Sequence, residues 1–278
     1  MPELPEIQAH AERLTESFGG VELTGFRALS FTVLKTFAPA PEEALGHPFG
    51  PVTRRGKHLL AAAGPVTFVV HLMQGGRWRD DPKQAAKPRG GLARWTFADG
   101  RALLLTEPGS ERKAGVWVVG GDPLDQEPLT GLGPEADRLD AATLAPILAE
   151  HRGRLHGLLR DQRAIAGLGR RLANEICHRA QLSPFAPADK LGAGEVARLA
   201  DAIRACIDDT LAEERTRDDL GSVKDRTSAV HNRIGEPCPV CGDVVRSVSY
   251  RAYTVAYCAT CQTGGKVLAD NTTSKFLK

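Results

Sequence analysis

No apolar run in this chain approaches the about 20 residues a helix needs to cross a bilayer, which excludes a helical membrane protein and predicts a soluble one with no membrane partner. No internal repeat is visible, which argues against a solenoid or propeller. No strong charge of either sign is present. Lys and Arg number 36 against 34 Asp and Glu, and the formal net charge of +2 is too small to announce a polyanionic partner by itself. No signal peptide precedes the first pattern, so the 6 cysteines are expected in a reducing, cytoplasmic setting where disulfides are rare. What remains is a chain of 278 residues with 42% hydrophobic content, long enough for two domains with their own cores.

The apolar pattern changes period along the chain. Ile7, Ala11, Leu14 and Phe18 fall on one helical face, which Gly19-Gly20 ends. From Val21 to Val119 the runs are short and β-rich, as in Val66–Val70 and in Ala93–Phe97, which Asp99-Gly100 turns into Ala102–Leu105. Gly120 to Glu135 has the Gly, Pro and acidic content of a linker. Helical periodicity predicts helix from Ala141 to about Glu214, and Leu220 to Pro237 reads as a short, polar, poorly patterned connection.

Three groups of residues could carry chemistry. Met1-Pro2-Glu3-Leu4-Pro5-Glu6 would, after loss of Met1, present a secondary amine at Pro2. A terminal α-amine has a pKa of about 8, so a useful fraction is neutral at neutral pH and can add to a sugar aldehyde carbon as an iminium. Glu3 and Glu6 are acid/base candidates beside it. The same hexapeptide also reads as a plain helix start, with Pro in the first turn and carboxylates at the positive end of the dipole. Cys238, Cys241, Cys258 and Cys261 form C-x2-C-x16-C-x2-C, the spacing of a four-thiolate zinc ribbon, with two disulfides as the alternative. One structural Zn2+ fits best, because four thiolates leave no open position. Cys177 and Cys206 sit among helical apolar residues and read as core thiols. Between His151 and Arg179, arginines at 152, 154, 160, 163, 170, 171 and 179 face only Asp161 and Glu175. That excess suits a phosphate-binding face, or an ordinary solvated helix surface.

A cleavable N-terminal proline beside two glutamates, followed by a C-terminal four-cysteine ribbon, resembles the formamidopyrimidine-DNA glycosylase and endonuclease VIII family of base-excision repair enzymes. Arg54-Arg55-Gly56-Lys57 is similar to the family's lysine-bearing hairpin. His71-Leu72-Met73-Gln74-Gly75-Gly76 is similar to its void-filling loop. Ile165-Ala166-Gly167-Leu168-Gly169 with Asn174-Glu175 is similar to its helix–two-turn–helix. The resemblance covers nearly the whole chain. It implies an α+β fold: an N-terminal β-sandwich with flanking helices over residues 1–120, a linker over 121–140, a helix–two-turn–helix domain over 141–220, a zinc ribbon over 221–263 and a tail over 264–278.

The resemblance also implies roles. Pro2 would attack the sugar carbon of a damaged nucleotide, with Glu3 handling the proton and Glu6 orienting the site or helping protonate it. Lys57 would contact phosphate, although an ordinary surface lysine is an equal reading. Met73 or Gln74 and Arg112 would fill the gap left by an extruded base. Gly167 and Gly169 would let the backbone amides of the two-turn motif approach a phosphate, Arg170 would bind phosphate by charge, and Glu175 would match the carboxylate on the following helix, with a solvent-facing glutamate an equal reading. The partner would be double-stranded DNA carrying damaged bases or abasic sites, bound by a monomer associated with the nucleoid. Three positions depart from the family pattern: Ala114 where an aromatic is usual, Arg170 where Asn follows Gly-x-Gly, and Tyr253 where the ribbon arginine belongs, with Arg251 two residues upstream. The short connection after Leu220 points to oxidised pyrimidines or abasic sites. Two other readings stay open: a DNA-binding relative that does not cut, and a zinc-ribbon nucleic-acid protein with a coincidental N-terminus.

Overall fold

The Ile7, Ala11, Leu14, Phe18 stripe forms the buried face of helix α1 (Leu4–Phe18). The computed structural model describes residues 1–109, 111–217, 219–221, 226–250 and 253–268. After α1 come strands β1 (Leu23–Ala28), β2 (Phe49–Arg55), β3 (His58–Ala63), β4 (Val66–His71), β5 (Arg77–Asp80), β6 (Gly91–Phe97), β7 (Ala102–Thr106) and β8 (Gly115–Gly120). They build two four-stranded antiparallel sheets, ordered β1-β6-β7-β5 and β2-β3-β4-β8. Phe68, Val70, Val116 and Val118 of one sheet share a core with Trp95, Leu103 and Leu105 of the other and with Phe18 of α1. Trp95 anchors it, with ring centroids of Phe26, Trp78 and Phe68 at 5.0, 5.4 and 5.8 Å. Every residue of β7 is buried, so its run of leucines shows no alternation.

The chain forms two compact units, Met1–Gly131 with Thr210–Lys224 and Leu132–Asp209 with Asp225–Lys278. The single helical stretch expected from Ala141 to Glu214 is four helices: α2 (Ala141–Glu150), α3 (Leu155–Arg160), α4 (Arg170–Arg179) and α5 (Ala193–Arg215). Asp140 caps α2 in a reciprocal box with Thr143. The last turns of α5 and the segment after it belong with the sandwich, not with the helical unit. Leu220 packs against the sandwich core, so the connection that begins there starts with a hydrophobic anchor. In the second unit a hairpin of β9 (Val245–Ser249) and β10 (Thr254–Cys258) leads into α6 (Ala259–Thr263). Its small core joins Val230, Val245 and Ala256 to Cys238 and Cys258. The antiparallel sheets, helices and cysteine hairpin make the fold α+β. No helix among the described residues is long and apolar enough to cross a membrane.

Candidate functional site

Glu3 is the N-cap of α1, and its N–H donates to Glu6 Oε2 at 2.8 Å. This is the returning half of a capping box. Pro2 is buried just ahead of it, and Glu3 and Glu6 are only 3% and 1% exposed. The helix-start reading therefore holds, with Glu6 in the first turn of α1. Glu6 fixes the backbone of Glu3, which favours its orienting role. Met1 is 45% exposed.

Gly56-Lys57 is the two-residue turn between β2 and β3. Gly56 takes φ +55° at the first turn position, as a type II′ hairpin requires. Lys57 is 5% exposed, so it is not an ordinary surface lysine. Two cross-links set α1 against β2. Thr15 Oγ1 accepts the Val52 N–H at 2.8 Å, and Arg54 Nε donates to Gln8 Oε1 at 2.9 Å. Seven residues of helix advance about 10 Å and two of strand about 7 Å, in opposite chain directions, which brings the Lys57 turn towards the first turn of α1. On another flank Arg215 grips Glu12 with bonds of 2.9 and 2.7 Å, and that bond holds the Glu12 carboxyl below its usual range. Arg13 donates to the carbonyls of Glu214 and Arg217 at 2.8 and 3.2 Å. These clamps on the helix were not visible in sequence.

Two loops lie at the same end of this sheet as the Lys57 turn, since His58 pairs with His71 and His71 with Gly115. Met73 holds φ +50°, a left-handed conformation that costs a non-glycine residue about 1–2 kcal/mol. Its N–H donates to His71 Nδ1 at 2.9 Å. Burial, and then the charges of His58 and Lys57, pull the His71 pKa down to about 3, so the ring is neutral and able to accept. Gln74 is exposed at the loop tip. Arg112 is exposed on the second loop, while Ala114 is 1% exposed and part of the core. Glu107, 3% exposed, joins the loops. Its Oε2 accepts the N–H groups of Lys113 and Ala114 at 2.7 and 2.8 Å. Its Oε1 would stand 2.7 Å from a Cβ at Gly75. Arg77, Arg79, Arg89 and Arg112 line a cleft of ≈ 570 Å³ with Trp78 and Glu107. These arginines are scattered in sequence, which hid the cluster.

In the second unit, the turns before α4 are stapled by Gln162. Its Nε2 donates to the carbonyls of Arg160 and Leu168 at 2.9 and 2.8 Å, and its Oε1 accepts the Gly167 N–H at 3.0 Å. Gly167 takes φ +104°. The expectation that its amide faces a phosphate is corrected: Gln162 already occupies that N–H. Gly169 is the N-cap of α4, and Arg170 is exposed at the first helical position. Glu175 does not face solvent alone. Its carboxylate accepts the N–H groups of Ala229, Val230 and His231 at 2.7, 3.1 and 2.8 Å, anchoring the approach to the ribbon. The arginine excess is also thinner than it looked: Arg171 is buried and Arg179 pairs with Asp209. Tyr253 stacks on Tyr250 with centroids 4.8 Å apart and planes at 14°. Arg251 lies outside the described residues.

The sulfurs of Cys238, Cys241, Cys258 and Cys261 lie within 4.8 Å of one another. Cys238–Cys261 is 3.9 Å and Cys241–Cys258 is 3.3 Å. Sulfurs about 2.3 Å from a tetrahedral centre are about 3.8 Å apart, so the cluster fits a metal ion of that radius. His178 Nε2 lies 3.3 Å from Cys238 Sγ, an outer contact that the sequence did not announce. Cys177 and Cys206 are buried core thiols, and burial raises both pKa values, that of Cys206 to about 11.

Residues 1–117 match the family model of the formamidopyrimidine-DNA glycosylase N-terminal domain, and residues 130–219 match that of the formamidopyrimidine-DNA glycosylase H2TH domain. A formamidopyrimidine-DNA glycosylase of Pelotomaculum thermopropionicum is 31% identical over 279 residues, covering 94% of this chain and 99% of that protein. An uncharacterized formamidopyrimidine-DNA glycosylase-like protein of Mycobacterium tuberculosis is 41% identical over 149 residues, 53% of this chain and 94% of that protein. The crystal structure of the MutM (Fpg) protein of Thermus thermophilus aligns with a TM-score of 0.80 at 30% identity, covering 96% of this chain and 100% of that one. Lactococcus lactis Fpg in complex with abasic-site DNA aligns at 0.83 with 21% identity over 94% of this chain and 99% of that one, a likeness of fold.

Proposed function

Because the chain belongs to the formamidopyrimidine-DNA glycosylase family, we propose that it is a bifunctional DNA glycosylase and abasic-site lyase that excises oxidatively damaged bases from double-stranded DNA. The observation that carries this reading is the buried Pro2-Glu3 pair at the start of α1, its backbone set by Glu6, in a unit that also buries Lys57 at a hairpin turn. Family complexes with abasic-site DNA support the partner.

Once Met1 is removed, the Pro2 nitrogen attacks C1′ of the damaged nucleotide. The bond from C1′ to the base breaks, and the base leaves with the bonding pair and takes up a proton. Ring opening leaves an iminium between Pro2 and C1′. Loss of a C2′ proton then expels the 3′-phosphate by elimination, and water frees the enzyme. Glu3 moves protons at the sugar, Glu6 holds Glu3, and Lys57 meets the phosphate beside the lesion. Met73, Gln74 and Arg112 fill the vacated stack. Arg170 binds phosphate by charge, and Glu175 acts only by holding the loop at 229–231. One Zn2+ on Cys238, Cys241, Cys258 and Cys261 would hold the ribbon hairpin together. In this reading residues 1–120 carry the chemistry, 121–140 link, 141–220 and 221–263 hold DNA, and the protein works as a cytoplasmic monomer; of the tail expected over 264–278, residues 269–278 lie outside the described residues.

Borohydride added during turnover should trap a covalent protein–DNA adduct that peptide mapping places at Pro2. An equal yield from Pro2→Gly, with the adduct mapped to Lys57, would reject the nucleophile. Ala114 favours one second reading, a damage binder that does not cut, because the core holds a methyl group where the family places an aromatic wedge. A panel of duplexes with oxidised purines, oxidised pyrimidines or an abasic site decides between them. Tight binding without base release or scission by protein lacking Met1 would select the binder.

A further inference from the structure

Tyr253 stands where the ribbon of the family carries an arginine, so by sequence the second unit lacks one guanidinium. The structure brings another to the same residue. The Arg160 guanidinium carbon lies 4.1 Å from the centroid of the Tyr253 ring. Tyr253 stacks in turn on Tyr250 at 4.8 Å, and the His156 ring lies parallel to it, within 12°, at 6.1 Å. Arg160 is the last residue of α3, immediately before the turns that Gln162 staples.

Its neighbours show what is unusual about it. Arg154 donates to the Phe185 carbonyl at 3.0 Å, Arg179 pairs with Asp209, and Arg171 is buried. Arg160 is half-buried, yet among the described residues no carboxylate or carbonyl takes a hydrogen bond from its guanidinium. An aromatic face fixes the plane of the cation without using its in-plane donors. A planar fork, held still and left with its donors open, suits an anion with two oxygens in one plane. His156 adds no competing charge, because burial and then Arg160 itself pull its pKa down to about 3.

We propose that Arg160, held on the Tyr253 ring, binds a DNA backbone phosphate and supplies from α3 the cation that the ribbon hairpin lacks. The proposal rests on the DNA-binding reading above and adds a residue that neither the motifs nor the family pattern pointed to. Tyr253 acts through Arg160, as a positioning residue.

The test uses full-length, zinc-loaded protein and a duplex with a tetrahydrofuran abasic-site analogue, titrated over a salt series, with base release from a lesion duplex scored on the same preparations. One phosphate contact contributes about 0.9 to the slope of log affinity against log salt on duplex DNA. Arg160→Ala should flatten the slope by about that amount and weaken binding roughly tenfold to hundredfold. Arg160→Lys should keep the slope but lose affinity, and it carries the test if the alanine variant folds poorly. Tyr253→Phe should match wild type. Tyr253→Ala should lose affinity, and combining it with Arg160→Ala should cost less than the two separately. If Arg160→Ala melts earlier but keeps the wild-type slope and affinity, Arg160 merely ties the hairpin to α3 and the proposal fails. Wild type that binds with the expected slope but releases no base would sink the glycosylase reading and leave Arg160 standing. Wild type that binds no duplex would sink both.

Discussion

The start of α1 and the ribbon hairpin each place charged groups where a ligand could meet them, and they do so by opposite means. At α1 the groups are buried and held by short-range backbone geometry: Glu6 caps the residue three before it, and Lys57 sits in a two-residue turn. At the hairpin the groups are half-exposed and held by side chains stacked across long sequence separations, as with Arg160 on Tyr253. The first arrangement tolerates little substitution, and the helix that carries it is braced by Val52, Arg54 and Arg215 from elsewhere in the chain. The second can exchange its parts, so that a cation lost from one element is supplied by another. In the proposed function, chemistry that demands fixed geometry would sit on the first kind of support, and attachment to a long polyanion on the second.

The contrast breaks most visibly when metal is stripped. A strong chelator should release one zinc per chain and unfold the ribbon, since thiolate zinc sites contribute roughly 10 kcal/mol or more to small modules. The sandwich, with a core of its own, should keep its near-ultraviolet circular dichroism, and DNA binding should be lost. Unchanged DNA affinity in the metal-free protein would contradict this. The next largest effect is chemical. Glu3→Gln keeps size and polarity but not proton transfer, so base release should fall about 10²–10⁴-fold. Its affinity for abasic duplex should stay near wild type, and a parallel loss of binding would erase the distinction between the two regions.

Acid should blur the contrast, because each region hides a neutral histidine. His71 and His156 have folded pKa values of about 3, set first by burial. The unfolded value is about 6.5, so the unfolded state binds the extra protons and their stabilisation is lost as pH falls from about 6.5 towards 3. Each contributes a slope of up to about 1.4 kcal/mol per pH unit in that window. Urea melts at pH 7 and 4.5 should show the loss, and His71→Gln should reduce it. Equal stability at the two pH values would contradict the buried neutral rings. Smallest of all, Arg170→Ala should weaken binding to every sequence alike and flatten the salt slope by about one unit or less. A sequence-dependent loss would point to base contact instead.

What was legible in sequence divides along the same line. The α1 face, the Gly56-Lys57 turn and the cysteine pairs are local patterns, and local patterns have fixed periods and spacings. The Glu12–Arg215 pair joins residues 203 apart, and no spacing rule reaches that far. Gln162 was passed over because a glutamine in a polar stretch resembles any other until a turn folds around it. Gly167 was misjudged for a related reason: its positive φ was foreseeable, but the acceptor for its amide was not. At position 114 the sequence showed a missing aromatic, and only the fold showed that the residue there belongs to the core.

Glu107 has a consequence for how such a protein can change over generations. One oxygen of its carboxylate holds the backbone at 113 and 114, and the other fills the space a side chain at Gly75 would need. A lineage that puts any larger residue at 75 must first displace Glu107, and displacing Glu107 releases the loop that carries Arg112. The two loops are therefore inherited as one character. Their variants should arrive as compensated pairs, and a graft of either loop alone from a relative should fail where a graft of both succeeds.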